Sequence, residues 1–322
     1  MDQWLNNHTD NDIIHTDSLT KIDSLYSCHG LYGHSIEVAE RFRLIFFGDF
    51  YGHLTIWRYA ERPRFQRIQK LQAFNSSIYQ VKFLDQSRRL FVSADHVKIY
   101  NIGDDGRLRQ LKFIRHSNIA LSMILLPKYK CFITSGAIQP LQLWNIKTLV
   151  SQGEVDTKGK KGTGYTLLYV DKFSILICGF MNGQIGLYDA KEHFLEISVF
   201  KTESSDWNIS LGFSEKYNLL LGCVGFRKVK TWKFSSRDKV TPVHEYTIPC
   251  DDLYDIKERI IDNRDSLVIL GHNSNVLIFD LETGIFDRVK GLYAKYSAMK
   301  FMRNGKIWLL AASKQIDIYQ YE

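Results

Sequence analysis

The sequence predicts an all-β protein, and three observations support that prediction. A short apolar strand that ends in an aromatic residue recurs seven times, at intervals of 40 to 47 residues. The strands are rich in β-branched and aromatic residues, and helical periodicity is almost absent. Turn-forming residues separate the strands at regular positions. Four antiparallel strands in about 44 residues match one blade, so the repeats predict a seven-bladed β-propeller.

The third strand of each repeat carries the aromatic residue. A second apolar strand precedes it, as LIFFG precedes LTIW and CFITS precedes LQLW. The seven aromatic residues are Trp57, Tyr100, Trp144, Tyr188, Trp232, Phe279 and Tyr319.

The first and fourth strands flank this pair. YTLLYV is an example of a first strand, and RLRQLKFI and FLEISVF are fourth strands that follow Tyr100 and Tyr188. A single blade cannot bury both of its faces. We therefore expect the blades to stack around an axis and to share one continuous core.

The last repeat ends at Glu322, soon after its third strand, and so lacks an outer strand. The segment LTKIDSLYS at residues 19–27 precedes the first repeat and belongs to no other strand set. We expect it to supply the outer strand of the seventh blade, which closes the ring and removes an open edge. This divides the chain into a flexible acidic tail, residues 1–17, and a single propeller, residues 18–322.

The repeats resemble those of the WD-repeat family of seven-bladed propellers, which carry Gly-His before the inner strand, an Asp in the turn before the third strand, and Trp-Asp at its end. Gly33-His34 matches the first element and His116 matches it in part, while Tyr188-Asp189 and Phe279-Asp280 match the last. The repeats are divergent, and we expect stability to depend on apolar packing between blades. The turn Asp is replaced in every repeat, at Tyr51, Ala94, Ile138, Asn182, Phe226, Asn273 and Ser313.

The residue pattern of repeats three and four, LPKYKCFITSG and KFSILICGF, is also similar to that of WD-repeat proteins of ciliated protists and cilia.

Five widely spaced cysteines form no paired or metal-binding motif, and no signal peptide or membrane-spanning run is present. We therefore expect an intracellular protein, with the cytoplasm, cilium and nucleus as its candidate compartments. The sequence also contains no catalytic, nucleotide-binding or cofactor motif, so we expect no enzyme activity and no cofactor.

The resemblance places the turns between second and third strands, and between successive blades, on one face where partners bind. Several of these turns hold large apolar or aromatic residues, which mark binding hot spots when they are exposed. The alternative is that the rings fold down over the blade tops as local core. The predicted partner-binding residues are Tyr51, His116, Phe180, Met181, Trp207, Phe226, Arg227, Tyr254 and Tyr293.

A polar residue recurs in every first strand at intervals of 42 to 45 residues. Strand alternation turns these side chains the same way, which predicts that they line a central channel. Solvation of the channel explains them most simply, although Glu37 and Asp255 could also accept a basic side chain of a partner. The predicted channel-lining residues are Glu37, Gln80, Ser122, Thr166, Ser210, Asp255 and Ser297.

The chain has 42 Lys and Arg against 35 Asp and Glu, and removal of the acidic tail leaves a net charge of +11. Basic residues cluster on fourth strands, where they protect an edge from pairing or contact a nucleic acid. The tail residues His8, Asp10, Asp12 and His15 could bind a metal, but a solvated tail explains them better, so we expect no metal site. The basic edge residues are Arg58, Arg62, Arg64, Arg67, Lys70, Arg107, Arg109, Lys112, Arg115, Arg227, Lys228, Lys230, Lys233, Arg237 and Lys239.

These features favour a non-enzymatic scaffold that binds a protein or peptide on the top face of the propeller, within a multi-subunit complex. The alternative is a nucleic-acid-associated subunit of an RNA-processing or ribosome-related complex, which the basic edges would serve. Affinity that falls steeply with salt concentration would distinguish the second function from the first.

Overall fold

The structure, a computed structural model, is an all-β propeller of four-stranded antiparallel blades, which confirms the predicted all-β class and the four-stranded blade. Apart from the strands, the described chain holds three 3-10 helices in turns, at Glu40–Phe42, Asp85–Ser87 and Pro127–Tyr129. The structure describes residues 19–26, 33–60, 64–116, 119–137, 140–155, 162–202, 208–224, 228–247, 253–261, 264–271, 276–281, 286–289, 292, 296–302, 306–312 and 315–321.

Each sheet has an inner, a second, a third and an outer strand. The inner strands are β2 (Gly33–Ala39), β6 (Gln80–Leu84), β10 (Ala120–Leu126), β14 (Gly164–Val170), β18 (Asn208–Ser214), β22 (Leu253–Ile261) and β26 (Tyr296–Met302). The second strands are β3 (Leu44–Asp49), β7 (Arg89–Ser93), β11 (Cys131–Gly136), β15 (Ile175–Phe180), β19 (Leu219–Val224), β23 (Arg264–Gly271) and β27 (Ile307–Ala312).

The third and outer strands complete the sheets. The third strands are β4 (His53–Tyr59), β8 (Val97–Ile102), β12 (Gln142–Asn145), β16 (Gln184–Asp189), β20 (Lys228–Phe234), β24 (Val276–Asp280) and β28 (Gln315–Tyr321). The outer strands are β5 (Phe65–Gln72), β9 (Leu108–Ile114), β13 (Ser151–Glu154), β17 (Leu195–Lys201), β21 (Val240–Thr247), β25 (Phe286–Arg288) and β1 (Leu19–Tyr26).

The described strands form seven four-stranded sheets, which we number 1 to 7 from β2–β5 onward. Sheet 7 consists of β26, β27, β28 and β1. Each inner strand packs against the inner strand of the next sheet, and β26 packs against β2. We call the end where the inner strands begin the upper end, and the end where they finish the lower end.

Apolar side chains fill each interface between neighbouring sheets, which we call a seam. Seam 1/2, for example, joins Phe46 and Ile56 of sheet 1 to Val81 and Val92 of sheet 2, and all four are buried. The described residues form one such cluster at each of the seven seams. The core therefore runs between sheets, as the repeat pattern predicts.

A bulge recurs where the outer strand meets the third-strand aromatic residue. In sheet 1 the pairing skips Ile68 between Gln69 and Arg67, opposite Ile56 and Trp57. The same shift occurs in sheets 2, 3, 4, 5 and 7. The extra residue increases the local twist, and in sheets 1, 4 and 7 it is an isoleucine that packs into the seam.

The amino-terminal strand β1 lies where the sequence predicts, paired antiparallel with β28 from Leu19 opposite Tyr321 to Tyr26 opposite Gln315. A fully buried carboxylate, Asp317, joins the two strands. It accepts hydrogen bonds from the Ser24 hydroxyl (2.8 Å) and the Gln315 amide (2.6 Å), and it pairs with Lys21 Nζ at 2.7 Å.

Two tyrosines extend this polar cluster into the sheet. The Tyr296 hydroxyl donates to Asp317 Oδ2 at 2.8 Å and lies 2.6 Å from the Tyr319 hydroxyl. Burial raises the pKa of Tyr296 above its usual value, and the hydrogen bonds to Tyr319 and Asp317 add to that shift. Burial opposes the charged form of Lys21, but Asp317 outweighs it, so the pKa of Lys21 is also raised. The ion pair is therefore complete below the usual lysine pKa and is lost as pH rises through the raised value.

We expect Asp317→Ala to lower the free energy of unfolding by about 3 kcal/mol, because it leaves Lys21 and several buried donors without an acceptor. Denaturant unfolding at neutral pH measures the loss. Asp104→Ala is the control: Asp104 pairs with Arg88 at 2.6 Å but is 96% exposed, so its removal should cost less than about 1 kcal/mol. Equal losses in the two variants would contradict the role of Asp317.

Candidate partner-binding surface

Two exposed aromatic residues stand together at the upper end of sheet 1. Phe50 and Tyr51 occupy the turn between β3 and β4, and they are 46% and 45% exposed. Their ring centroids are 5.6 Å apart in an edge-to-face arrangement. Large rings in a tight turn are unusual, because the residues at such positions are ordinarily small or polar. The turn therefore presents apolar surface that the fold itself does not bury.

A buried carboxylate holds the backbone of this turn. Asp49, which is 2% exposed, accepts hydrogen bonds from the backbone N–H groups of Tyr51 and His53, both at 2.9 Å. The His53 Nδ1 atom lies 3.1 Å from the other carboxylate oxygen. The side chain thus satisfies donors that the turn would otherwise leave unpaired.

The end of β5 and the segment that enters sheet 2 hold the same turn from the other side. The Ser77 hydroxyl donates to the carbonyl of Phe50 at 3.0 Å, and the Gln72 amide donates to the carbonyl of Tyr51 at 2.6 Å. The backbone of both aromatic residues is therefore fixed before any partner arrives, which reduces the entropy that binding would cost.

Gly52 completes the turn. Its φ of +80° lies in the left-handed region, and its carbonyl accepts the N–H groups of Ala73 and Phe74. A Cβ atom at this position would collide with the Phe74 carbonyl oxygen. Only glycine fits both the conformation and the space.

Other exposed aromatic residues lie toward the same end of neighbouring sheets. Tyr26 ends β1 in sheet 7 and is 63% exposed, and Phe113 lies near the end of β9 in sheet 2. The Phe113 ring contacts that of His96 at 5.0 Å. Because outer strands run toward the upper end, these positions lie on the same side as the Phe50–Tyr51 turn. We call Tyr26, Phe50, Tyr51 and Phe113 the upper aromatic arc.

The structure corrects the expected exposure of two predicted site residues. Phe180 is 2% exposed and belongs to the core of seam 3/4. His116 is 3% exposed, and its Nε2 atom lies 3.2 Å from Thr134 Oγ1. Met181, one residue beyond Phe180, is half-buried. Neither Phe180 nor His116 can offer its side chain to a partner in this arrangement.

Tyr51 is exposed, as predicted, whereas Phe50 and Phe113 are exposed but are not among the predicted partner-binding residues. The consecutive aromatics before Gly52 were the available signal for Phe50. Trp207, Phe226, Arg227 and Tyr293 lie outside the described residues, as do residues 1–17 with their histidines and aspartates. Tyr254 lies in β22, at the point where the pairing with β23 shifts between Leu253 and Asp255.

The inner strands bring most of the predicted channel-lining residues to one register. Ser122, Thr166, Ser210 and Asp255 each follow the same bulge in their pairing with the second strand. Gln80 lies opposite Ser93, at the corresponding position of sheet 2. Whether these side chains line an open channel stays a prediction.

In sheets 1 and 7 the residues at this register are Ser35 and Ala298 rather than the expected Glu37 and Ser297. Ser35 and Ala298 follow the same bulge as their counterparts in sheets 3 to 6. Glu37 lies two residues further along, where Lys300 Nζ of the neighbouring sheet approaches its carboxylate at 2.8 Å. Ser297 is itself the extra residue of a bulge.

Polar side chains at this register connect neighbouring inner strands. Ser35 Oγ accepts the N–H of Val81 at 2.9 Å, and Gln80 Oε1 accepts the N–H of Met123 at 2.7 Å. The Gln80 amide also donates to Ser122 Oγ at 3.2 Å. These residues therefore join adjacent blades.

Sheet 3 contains a buried hydrogen-bonded triplet. The indole N–H of Trp144 donates to Thr134 Oγ1 at 3.0 Å, and His116 Nε2 lies 3.2 Å from the same oxygen. The three side chains connect the entry to the inner strand, the second strand and the third strand. These hydrogen bonds, rather than apolar packing alone, hold the upper part of sheet 3 together.

Positive charge is concentrated in sheets 1 to 3. Residues 62–153 contain 15 Lys and Arg but only four Asp and Glu, whereas the rest of the chain has 27 and 31. The exposed side chains of Arg107, Arg109, Lys112 and Arg115 lie on or beside β9, and none forms an ion pair with another described residue. Such a sector attracts anions over several ångströms.

No known family model matches the chain, and no curated protein matches it significantly. Among the described residues, no cluster of three or more His, Cys, Asp or Glu side chains is arranged to hold a metal ion. No helix in the described part of the chain is long and apolar enough to cross a membrane.

We expect Gly52→Ala to destabilise the protein more than Gly153→Ala. Both glycines have positive φ, but a Cβ at Gly153 would meet nothing within 4 Å. Gly153→Ala, the control, should lower the free energy of unfolding by about 1 kcal/mol because of its backbone conformation alone. Gly52→Ala should lower it by about 2 kcal/mol more because of the collision with Phe74. Denaturant unfolding of the two variants measures the difference, and similar losses would show that the turn is not rigidly held.

Proposed function

We propose that this propeller is a protein-interaction scaffold that captures a peptide or protein segment at its upper aromatic arc. The rigidly held Phe50–Tyr51 turn is the observation that carries the proposal. Rings that are fixed in place and exposed supply apolar contact area at a low entropic cost, and aromatic residues dominate binding hot spots. The propeller would then hold its partner within a multi-subunit complex and catalyse no reaction of its own.

We further infer a divergent WD-repeat protein whose seven sheets form one closed ring. The triplet of His116, Thr134 and Trp144 supports this assignment, since a buried hydrogen-bonded network that includes the histidine before the inner strand is a feature of that family. The pairing of β1 with β28 supports closure by the amino-terminal strand. An intracellular location fits the buried thiol of Cys131, which forms no disulfide, and the cytoplasm, cilium and nucleus stay its candidate compartments.

The second candidate function is a nucleic-acid-associated subunit, and the charge of residues 62–153 favours it. Arg109 and Lys112 on β9 flank the exposed side chain of Leu111, and Phe113 follows them. A basic strand with an exposed ring can follow a phosphate backbone and stack on a base. The same charges also discourage pairing at the open edge of sheet 2, so they do not by themselves require a ligand.

We expect the double variant Phe50→Ala with Tyr51→Ser to reduce partner capture at least 30-fold, because each ring is expected to supply more than about 1 kcal/mol of binding energy. Affinity purification from the native source, with quantification of co-purifying proteins, measures the loss. The stability should change little, since both rings are exposed. Val243→Ser, at an exposed apolar site on the outer strand of sheet 5, is the control. Unchanged capture by the double variant would contradict the proposal.

The nucleic-acid candidate makes a separate prediction. If it is correct, a labelled single-stranded RNA of 20 uridines binds with an affinity that falls steeply as salt rises. Arg109→Glu with Lys112→Glu should then reduce the slope of log K against log salt by about 1.4, which corresponds to two lost phosphate contacts. Lys201→Glu with Lys239→Glu on sheets 4 and 5 is the matched control. No salt-dependent binding by the wild type would eliminate this candidate.

A further inference from the structure

We propose that seam 3/4 contains a second peptide-binding site, at the lower end of the propeller, which accepts an apolar side chain that lies next to a carboxylate. A cavity of about 220 Å³ opens there between sheets 3 and 4. Its position opposite the upper aromatic arc makes it independent of the proposed partner surface. The lining residues are Tyr129, Cys131, Leu143, Gln152, Ala190, Lys191, His193 and Phe194.

The cavity originates in the short outer strand of sheet 3. The sequence of β13 is SQGE, which contains no apolar side chain. Gln152 is the extra residue of its bulge, the position that Ile68 holds in sheet 1 and Ile197 in sheet 4. Those two isoleucines pack into their seams, and Ile22 of β1 does so in sheet 7. Gln152 therefore lines an opening at the position where an isoleucine packs into the seam in sheets 1, 4 and 7.

The buried residues of the lining, Cys131, Ala190 and Phe194, are apolar. Tyr129 and Phe194 face each other edge to face, with ring centroids 5.9 Å apart, and Leu143 packs on the same cluster. Cys131 is buried, and burial raises the pKa of its thiol to about 12, so it stays neutral there. An apolar cavity of about 150 Å³ is large enough to bind benzene. A phenylalanine ring or a branched aliphatic side chain would therefore fit this one.

A strained turn forms the rim of the cavity. His193 and Phe194 have φ values of 52° and 61°, so two consecutive residues other than glycine lie in the left-handed region. The turn is held by the N–H of Phe194, which donates to the Asp189 carbonyl at 2.8 Å. This conformation buries Phe194 and leaves His193 exposed. Strain of this kind persists only where the surrounding structure requires it, and it often marks a functional site.

The rim selects the partner by charge. Lys191 and His193 both line the cavity and are exposed, whereas Glu192 between them does not line it. A carboxylate beside the apolar side chain of a peptide would lie against the Lys191 ammonium group.

Peptide titration tests the site directly. The probe is a fluorescein-labelled octapeptide, Gly-Ser-Gly-Phe-Asp-Gly-Ser-Gly, and binding to the full chain is followed by fluorescence anisotropy. We expect saturable binding below about 1 mM, which is reasonable for one anchor and one charge. Replacement of the Phe by Ala or of the Asp by Lys should weaken binding at least tenfold. Absence of saturable binding, or equal binding of the three peptides, would overturn the proposal.

Variants of the chain separate the cavity from nonspecific adhesion. Gln152→Ile should fill the opening, reduce binding at least tenfold and raise the melting temperature by about 2 °C, since it seals the seam as Ile68 does. Lys191→Glu should reduce binding at least tenfold with an unchanged melting temperature, whereas Lys201→Glu on the same sheet should bind as the wild type does. Undiminished binding by Lys191→Glu would refute the proposal even if Gln152→Ile does not fold. The Phe50→Ala, Tyr51→Ser variant should retain this peptide, which distinguishes the site from the upper arc.

Discussion

The burial of apolar side chains between neighbouring sheets is the constraint on which the rest of the structure depends. A four-stranded sheet exposes two apolar faces, and the described part of the chain contains no helix layer that could cover either one. Each face can be buried only by the next sheet. The largest side chains of the core, including Trp308 and Tyr188, are fully buried in these seams. Lateral packing therefore determines where every strand must lie.

The same constraint explains where polar groups are found inside the fold. A buried polar atom must find a partner, and the seams provide few, so the polar residues are gathered into local clusters. Asp317 with Lys21 and Tyr296 joins the first strand to the last sheet. His116, Thr134 and Trp144 form the corresponding cluster in sheet 3. The first cluster joins strands that lie at opposite ends of the described chain, and the second joins neighbouring strands of one sheet.

Both proposed binding surfaces lie where this packing is incomplete. At the upper end, β3 finishes at Asp49, and the next two side chains, Phe50 and Tyr51, stay about half exposed. At the lower end of seam 3/4, a polar outer strand leaves an opening that an isoleucine fills in sheets 1, 4 and 7. The core gives both places a rigid support. A scaffold of this kind can change its partner contacts without loss of its fold.

The sequence by itself determined the strand order within each repeat and the four-strand unit, because strand alternation and turn chemistry are local properties. It did not determine which turn residues are exposed. Phe180 and Phe50 both come near the end of a second strand, yet Phe180 is the last strand residue and enters the seam, while Phe50 lies one residue further and remains exposed. The register of the inner strands was also undecided, since Ser35 and Ala298 hold the positions expected for Glu37 and Ser297. A shift of one residue reverses the direction of a side chain, and only the pairing of the strands in three dimensions decides that shift.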